Sequence, residues 1–236
     1  FGATTFNMGC ADRDPRERPV HRVELSPYRI ARTPVTNSQW EAYLLETDGE
    51  APSHWFGGAV APGTEHHPIV NVSWDAANAF CRWLTEHWGA ATGGRFALPT
   101  EAQWERAAKG TEERTYPWGE EPPSPARANF GARLTRTTPV DAHPSGATPD
   151  GILDLAGNAW EWCLDLYGDY SKQRQKDPTG ASKGNARVTR GGSFRSEGDR
   201  LRCTYRQSRH QHRTSERAGF RVVWMADPRD TPIVQS

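Results

Sequence analysis

Apolar and polar positions follow two different periods along this chain, and the changes of period mark its elements. From His21 onward, in HRVELSPYRIARTPVT, apolar and polar side chains trade places in two short runs, which predicts a hairpin of strands. The period then becomes helical. Ala76, Ala77, Phe80, Trp83, Leu84 and Trp88 recur on one face and predict a helix from about Ser73 to Trp88. Two further helices are announced by capping boxes, in which a threonine side chain accepts from a backbone N–H three residues on while the glutamine there reaches back. Thr36 with Gln39 opens TNSQWEAYLLE, and Thr100 with Gln103 opens TEAQWERAAKG. Between Tyr116 and Ser145 the density of Pro, Gly, Ser and Thr breaks any period and predicts a long coil.

Length and composition bound the answer. The 236 residues, with 22 Gly and 18 Pro, suit a single loop-rich domain over residues 1–236. Lys+Arg and Asp+Glu stand at 29 each, so no global field draws the chain to nucleic acid or to an acidic membrane. No apolar run approaches the roughly 18 residues that a spanning helix needs, and FGATTFNMG lacks the basic-then-apolar pattern of a secretion signal. Cys10, Cys81, Cys163 and Cys203 are spaced too irregularly for a zinc ribbon and too sparsely for a disulfide-stapled miniprotein.

The order of short motifs is more specific than any of them alone. FNMG at Phe6–Gly9, PVTNSQW at Pro34–Trp40, HPIVNVSWDAANAFCRWL at His67–Leu84, LPTEAQWERAAKG at Leu98–Gly110, YPWG at Tyr116–Gly119, LAGNAWEW at Leu155–Trp162, RGGSF at Arg190–Phe194 and GFRVV at Gly219–Val223 follow one another in register. In that order they resemble the formylglycine-generating enzyme, or sulfatase-modifying factor, superfamily. The resemblance implies an α+β, C-type-lectin-like fold of short strands, few helices and much coil. It also implies that residues 187–223 form the ligand-contacting segment.

Enzymes of that superfamily carry two cysteines shortly after the RGGS turn, a thiolate pair suited to Cu(I). Here Phe194, Arg195, Ser196, Glu197, Gly198, Asp199, Arg200 and Leu201 follow Ser193, so no copper is expected. Secreted relatives pair cysteines at the positions of Cys81 and Cys203 with partners that here read Val222 and Ala108. Both cysteines are therefore read as buried thiols in a reducing, cytoplasmic compartment. Similar enzymes bind calcium near GNAWEWCLD, which makes Asn158, Glu161 and Asp165 candidate structural ligands for a hard cation; the alternative is that Asn158 satisfies loop backbone while Glu161 pairs with an arginine. His210 and His212 flank Gln211, so both imidazoles share one side of an extended strand and form a candidate metal edge, or else a solvated basic rim.

The arginines of the last segment raise the question of nucleic acid, but Glu197, Asp199 and Glu216 interrupt them and stacking aromatics are scarce. By the resemblance, Arg190, Arg206 and Arg221 instead brace the coil-rich core through backbone carbonyls. Between these anchors lie Phe194, Arg195, Ser196, Glu197, Tyr205, Gln207, Arg209, His210 and His212, with Trp162 as a wall. This set is expected to face a protein or small-molecule ligand. A framework retained around such a set resembles the variable proteins of diversity-generating retroelements. The alternative is an oxidase or oxygenase like the pyoverdine-maturing branch, which also lacks the copper pair.

Overall fold

Residues 1–227 are described by a computed structural model of the chain. Both capping boxes form. Thr36 accepts from the Gln39 N–H while the Gln39 side chain accepts from the Thr36 N–H, starting α1 (Asn37–Leu45). The same exchange between Thr100 and Gln103 starts α3 (Glu101–Lys109). The long helix α2 (Trp74–Thr92) begins at a Ser73 cap and stops at Gly93, whose left-handed backbone a side chain would resist. Its buried face, with Ala77, Phe80, Cys81 and Trp83, is the periodic one.

Three small sheets surround these helices. The first joins β1 (Thr4–Met8), β2 (His21–Leu25) and β6 (Gln175–Lys176) in the order β1-β2-β6. The second joins β3 (Arg29–Ile30), β10 (Val223–Ala226) and β4 (Gly94–Ala97) in the order β3-β10-β4. The third places β8 (Arg206–His210), β7 (Ala186–Arg190), β5 (Trp160–Leu166) and β9 (Ala218–Gly219) side by side in that order. The expected hairpin over residues 21–36 is therefore corrected. β2 pairs with β1 whereas β3 pairs with the distant β10, because Ser26-Pro27 turns the chain out of one sheet and into another. The coil after α3 has no strand or long helix before β5, as expected.

Aromatic side chains fill the main core: Trp40, Tyr43, Phe80, Trp83 and Phe220 pack ring against ring, with Trp162, Leu98 and Ile69 in the same cluster. Cys81 sits there with Val222 packed against the cluster, and Cys203 shares a second cluster with Ala108. Apolar contact thus occupies the places where the resemblance puts disulfides. Among the described residues, no helix is long and apolar enough to cross a membrane.

Backbone approaches backbone closely where β9 enters the core. A Cβ on Gly219 would lie 2.1 Å from the Ile69 carbonyl oxygen, so one backbone segment or the other would have to move. Gly219→Ala should cost on the order of 1–3 kcal/mol by overpacking and lower Tm by several degrees. Gly2→Ala, with open space around it, should leave Tm unchanged. Equal melting of the two variants in a thermal scan would show that β9 does not pass against Ile69.

Candidate functional site

The 187–223 segment is built on strand alternation. In the β7–β8 ladder Arg190 stands opposite Arg206, Thr189 opposite Gln207, and Arg187 opposite Arg209. Facing residues share a side of the sheet, so the ladder sends one arginine pair to each side. Arg190 and Arg206 point toward α3, which presents Glu101 and Glu105. Arg206 grips Glu101 with Nε and Nη2 at 2.7 and 2.6 Å, and Arg190 binds Glu105. Burial alone would push Glu101 up, yet the guanidiniums of Arg206 and Arg190 overcome it and hold the carboxyl below its ordinary value.

The other framework residues pair in the same way. Arg221 holds both oxygens of Glu161 at 2.6 Å, and Trp104 Nε1 donates to the same carboxylate at 2.7 Å. Arg202 Nη2 meets Glu17 at 2.5 Å. Between these anchors Gly191 and Gly192, with φ of 94° and 80°, turn the chain back on itself. A Cβ on Gly191 would come within 3.2 Å of the Trp104 ring.

The expected contact residues divide into two groups. Arg195, Glu197, His210 and His212 are exposed, and Gln207 and Arg209 are half-buried. Trp162, Phe194, Ser196 and Tyr205 are not at the surface, which corrects their assignment as contacts. Trp162 is fully buried in the main core, its Nε1 donating to the Val72 carbonyl at 3.1 Å. Phe194 is 1% exposed and lies at the base of a cleft rather than on its rim. Ser196 closes the turn after the glycines, accepting from the Ser193 N–H at 2.9 Å. Tyr205 packs 6.0 Å from Trp160 and accepts from Arg16 at 3.2 Å.

That cleft has a volume of about 260 Å³ and is walled by His54, Trp55, His67, Asn71, Thr137, Phe194 and Glu216. At its edge Arg195 Nη2 reaches Glu216 at 3.1 Å. Burial holds His54 and His67 below the ordinary imidazole value, so both are neutral hydrogen-bonding groups near pH 7. His67 Nδ1 pairs with Thr137 Oγ1 at 3.0 Å, and His54 Nδ1 with Asn71 Nδ2 at 3.1 Å. Most of these wall residues lie in aperiodic loops, where no hydrophobic pattern marks them in the sequence.

The proposed cation ligands do not converge. Asn158 Oδ1 accepts from the Thr138 N–H at 2.9 Å, both Glu161 oxygens are held by Arg221, and Asp165 Oδ2 accepts from the Glu101 N–H at 2.8 Å. This matches the alternative in which Asn158 serves loop backbone and Glu161 pairs with an arginine. A calcium ion shared by the trio does not fit these commitments. His210 and His212 do stand together, with ring centroids 5.3 Å apart, and Asp75 at the start of α2 takes His212 Nδ1 at 2.6 Å. Among the described residues, no group of three or more His, Cys, Asp and Glu is arranged to hold a metal. Burial raises the thiols of Cys81, Cys163 and Cys203 well above their ordinary value, so none is a thiolate near neutral pH.

Residues 2–226 match the sulfatase-modifying factor enzyme 1-like domain. The serine/threonine-protein kinase pkn1 of Chlamydia caviae is 33% identical over 239 residues, 92% of this chain and 36% of that protein. The formylglycine-generating enzyme of Thermomonospora curvata is 33% identical over 291 residues, covering 95% of this chain and 91% of the enzyme. Among solved structures, Treponema denticola variable protein 1 superposes with a TM-score of 0.79 at 27% identity, over 94% of this chain and 92% of that one. The chain thus spans about a third of the length of the chlamydial kinase it matches.

Two buried carboxyls make stability depend on pH. Burial, then the neighbouring Glu101, pushes Asp165 up to about 8, and burial pushes Asp154 up to about 7. In the unfolded chain both ionise near 4. Between these values the folded chain keeps protons that the unfolded chain has released, so the stability contributed by these two carboxyls is full below about pH 4 and is lost as pH rises through about 7–8. Urea midpoints should fall over that range, and the Asp154→Asn/Asp165→Asn double variant should flatten the fall. An equal slope in both proteins would mean that the carboxyls are ionised in the fold, as a bound cation would require.

Proposed function

The chain belongs to the sulfatase-modifying factor enzyme 1-like family, and we propose that within it the chain acts as a ligand-binding domain rather than as an oxidase. One observation carries the reading. The segment that lacks the copper cysteine pair keeps its framework arginines in buried ion pairs, while Arg195, Glu197, Gln207, Arg209, His210 and His212 stay at or near the surface. Arginine forks, amides and imidazoles are adaptable polar contacts, and the cleft over Phe194 adds apolar area beside them. The likeness to a variable protein over 94% of the chain supports this use of the fold. The ligand is a protein or a small molecule.

The second reading is an oxidase or oxygenase without the copper pair. It is favoured by 33% identity to a formylglycine-generating enzyme along 91% of that enzyme's length. In that case the cleft would receive the substrate.

A library randomised at Arg195, Glu197, Gln207, His210 and His212 separates the two. Exposed substitutions move stability by about 0.5 kcal/mol each, and the exposed Arg195–Glu216 and His212–Asp75 pairs are worth little more. Most library members should therefore melt close to the parent and yield binders on selection against unrelated proteins. Phe194→Ala should instead cost roughly 3–5 kcal/mol, because the ring is buried. Widespread unfolding in the library would refute a display surface. Oxygen uptake with a cysteine peptide, lost when the cleft is blocked, would favour the oxidase.

A reducing, cytoplasmic setting is part of the same proposal, and it fits Cys10, Cys81, Cys163 and Cys203 as free thiols. Denatured without reductant, the chain should titrate as four thiols. A lower count would reveal a disulfide and remove that support.

A further inference from the structure

The arginine pair on the second side of the β7–β8 ladder is treated unequally. Arg187 has partners: Nη1 donates to the Leu164 carbonyl at 2.8 Å, Nε to Gln211 at 3.3 Å, and the guanidinium lies 3.6 Å from the centroid of Trp74. Arg209, directly opposite, has none. Among the described residues its guanidinium makes no hydrogen bond, ion pair or ring contact, and its Nε is sealed from solvent without a partner. The terminal nitrogens are not sealed from solvent. Glu216 is taken by Arg195 and Asp75 by His212, and neither forms an ion pair with Arg209.

A guanidinium that has lost part of its water without gaining an acceptor is unfavourable. Burial, followed by the charge of Arg217, holds Arg209 below its ordinary value. The ion-paired Arg190 and Arg206, only a few residues away, are shifted up instead. What Arg209 lacks is an oxygen bearing negative charge. A planar fork presents its free edge most favourably to a carboxylate or a phosphate, both of which can accept two parallel N–H bonds.

We infer that Arg209 is the receptor for an oxyanion group, carboxylate or phosphate, carried by the ligand of this surface, an inference that rests on the ligand-binding reading above. Gln207, on the same side of β8 two residues earlier, supplies an adaptable amide next to it.

The test is thermal melting of the full chain titrated with potassium phosphate and, separately, potassium succinate, with ionic strength held constant by potassium chloride. The wild-type Tm should rise saturably with at least one oxyanion and remain flat with chloride. Arg209→Gln should abolish the rise. Without oxyanion, Arg209→Met should melt at or above the wild type, since it removes an uncompensated charge while keeping the apolar stem. A response to phosphate alone marks a phosphorylated ligand, and one to succinate alone marks an acidic one. Equal responses in wild type and Arg209→Gln, or an equal effect of chloride, would overturn the inference. If that happens while the randomised surface still folds and yields binders, only the oxyanion receptor falls. If the anion response is abolished by Arg209→Gln while the randomised surface unfolds, the receptor stands and the display reading falls.

Discussion

Buried pairing between glutamates and arginines is the interaction on which the rest of this structure depends. Glu17, Glu101, Glu105 and Glu161 face Arg202, Arg206, Arg190 and Arg221, with both members of each pair at or near complete burial. Such pairs are costly to desolvate, and their net contribution is small when geometry is poor. Here each guanidinium also serves carbonyls that no strand or helix satisfies. Arg190 Nη1 donates to Thr204 and Tyr205, Arg206 Nη1 to Gly168, and Arg221 to Ala31 and Leu153. A coil-rich body must satisfy its buried backbone somehow, and these side chains do so over long sequence separations. Removing a single partner would strand a charge as well as a set of carbonyls.

Much of this was legible in advance, for reasons that differ by element. Thr36 and Thr100 announced α1 and α3 because capping chemistry is local, confined to residues three apart. The face of α2 was legible because its apolar spacing reports burial directly. The separation of β2 from β3 was not, since β3 is only two residues long and is defined by a partner almost 200 residues away. No local pattern encodes that pairing.

The contact residues were misjudged for a related reason. Phe194, Ser196 and Tyr205 lie between framework anchors in the sequence, but the glycine turn folds the first two inward and Tyr205 packs against Trp160. Phe194 lies beneath a cleft most of whose other walls come from residues 54–71 and 135–137, with Glu216 beside them. Trp162 faces the core because the side of β5 that carries it is covered by α2, through Trp74 and the Val72 carbonyl. Proximity in sequence to a variable-looking stretch therefore says little about exposure. Strand parity says more: in β8, Arg206 is committed to Glu101 while Gln207 and Arg209 fall on the other side.

That parity limits how the surface can change over evolutionary time. Among the described residues β8 is the outermost strand of its sheet, with β7 as its neighbour on one side, and Gln207 and Arg209 on it are only half-buried. Substitution there is cheap, whereas insertion or deletion is not. Shifting the chain by one position inside residues 206–210 would turn Arg206 away from Glu101 and set a neighbour against it. Diversity in this segment can accumulate as changes of letter, while changes of length inside β8 would break its register.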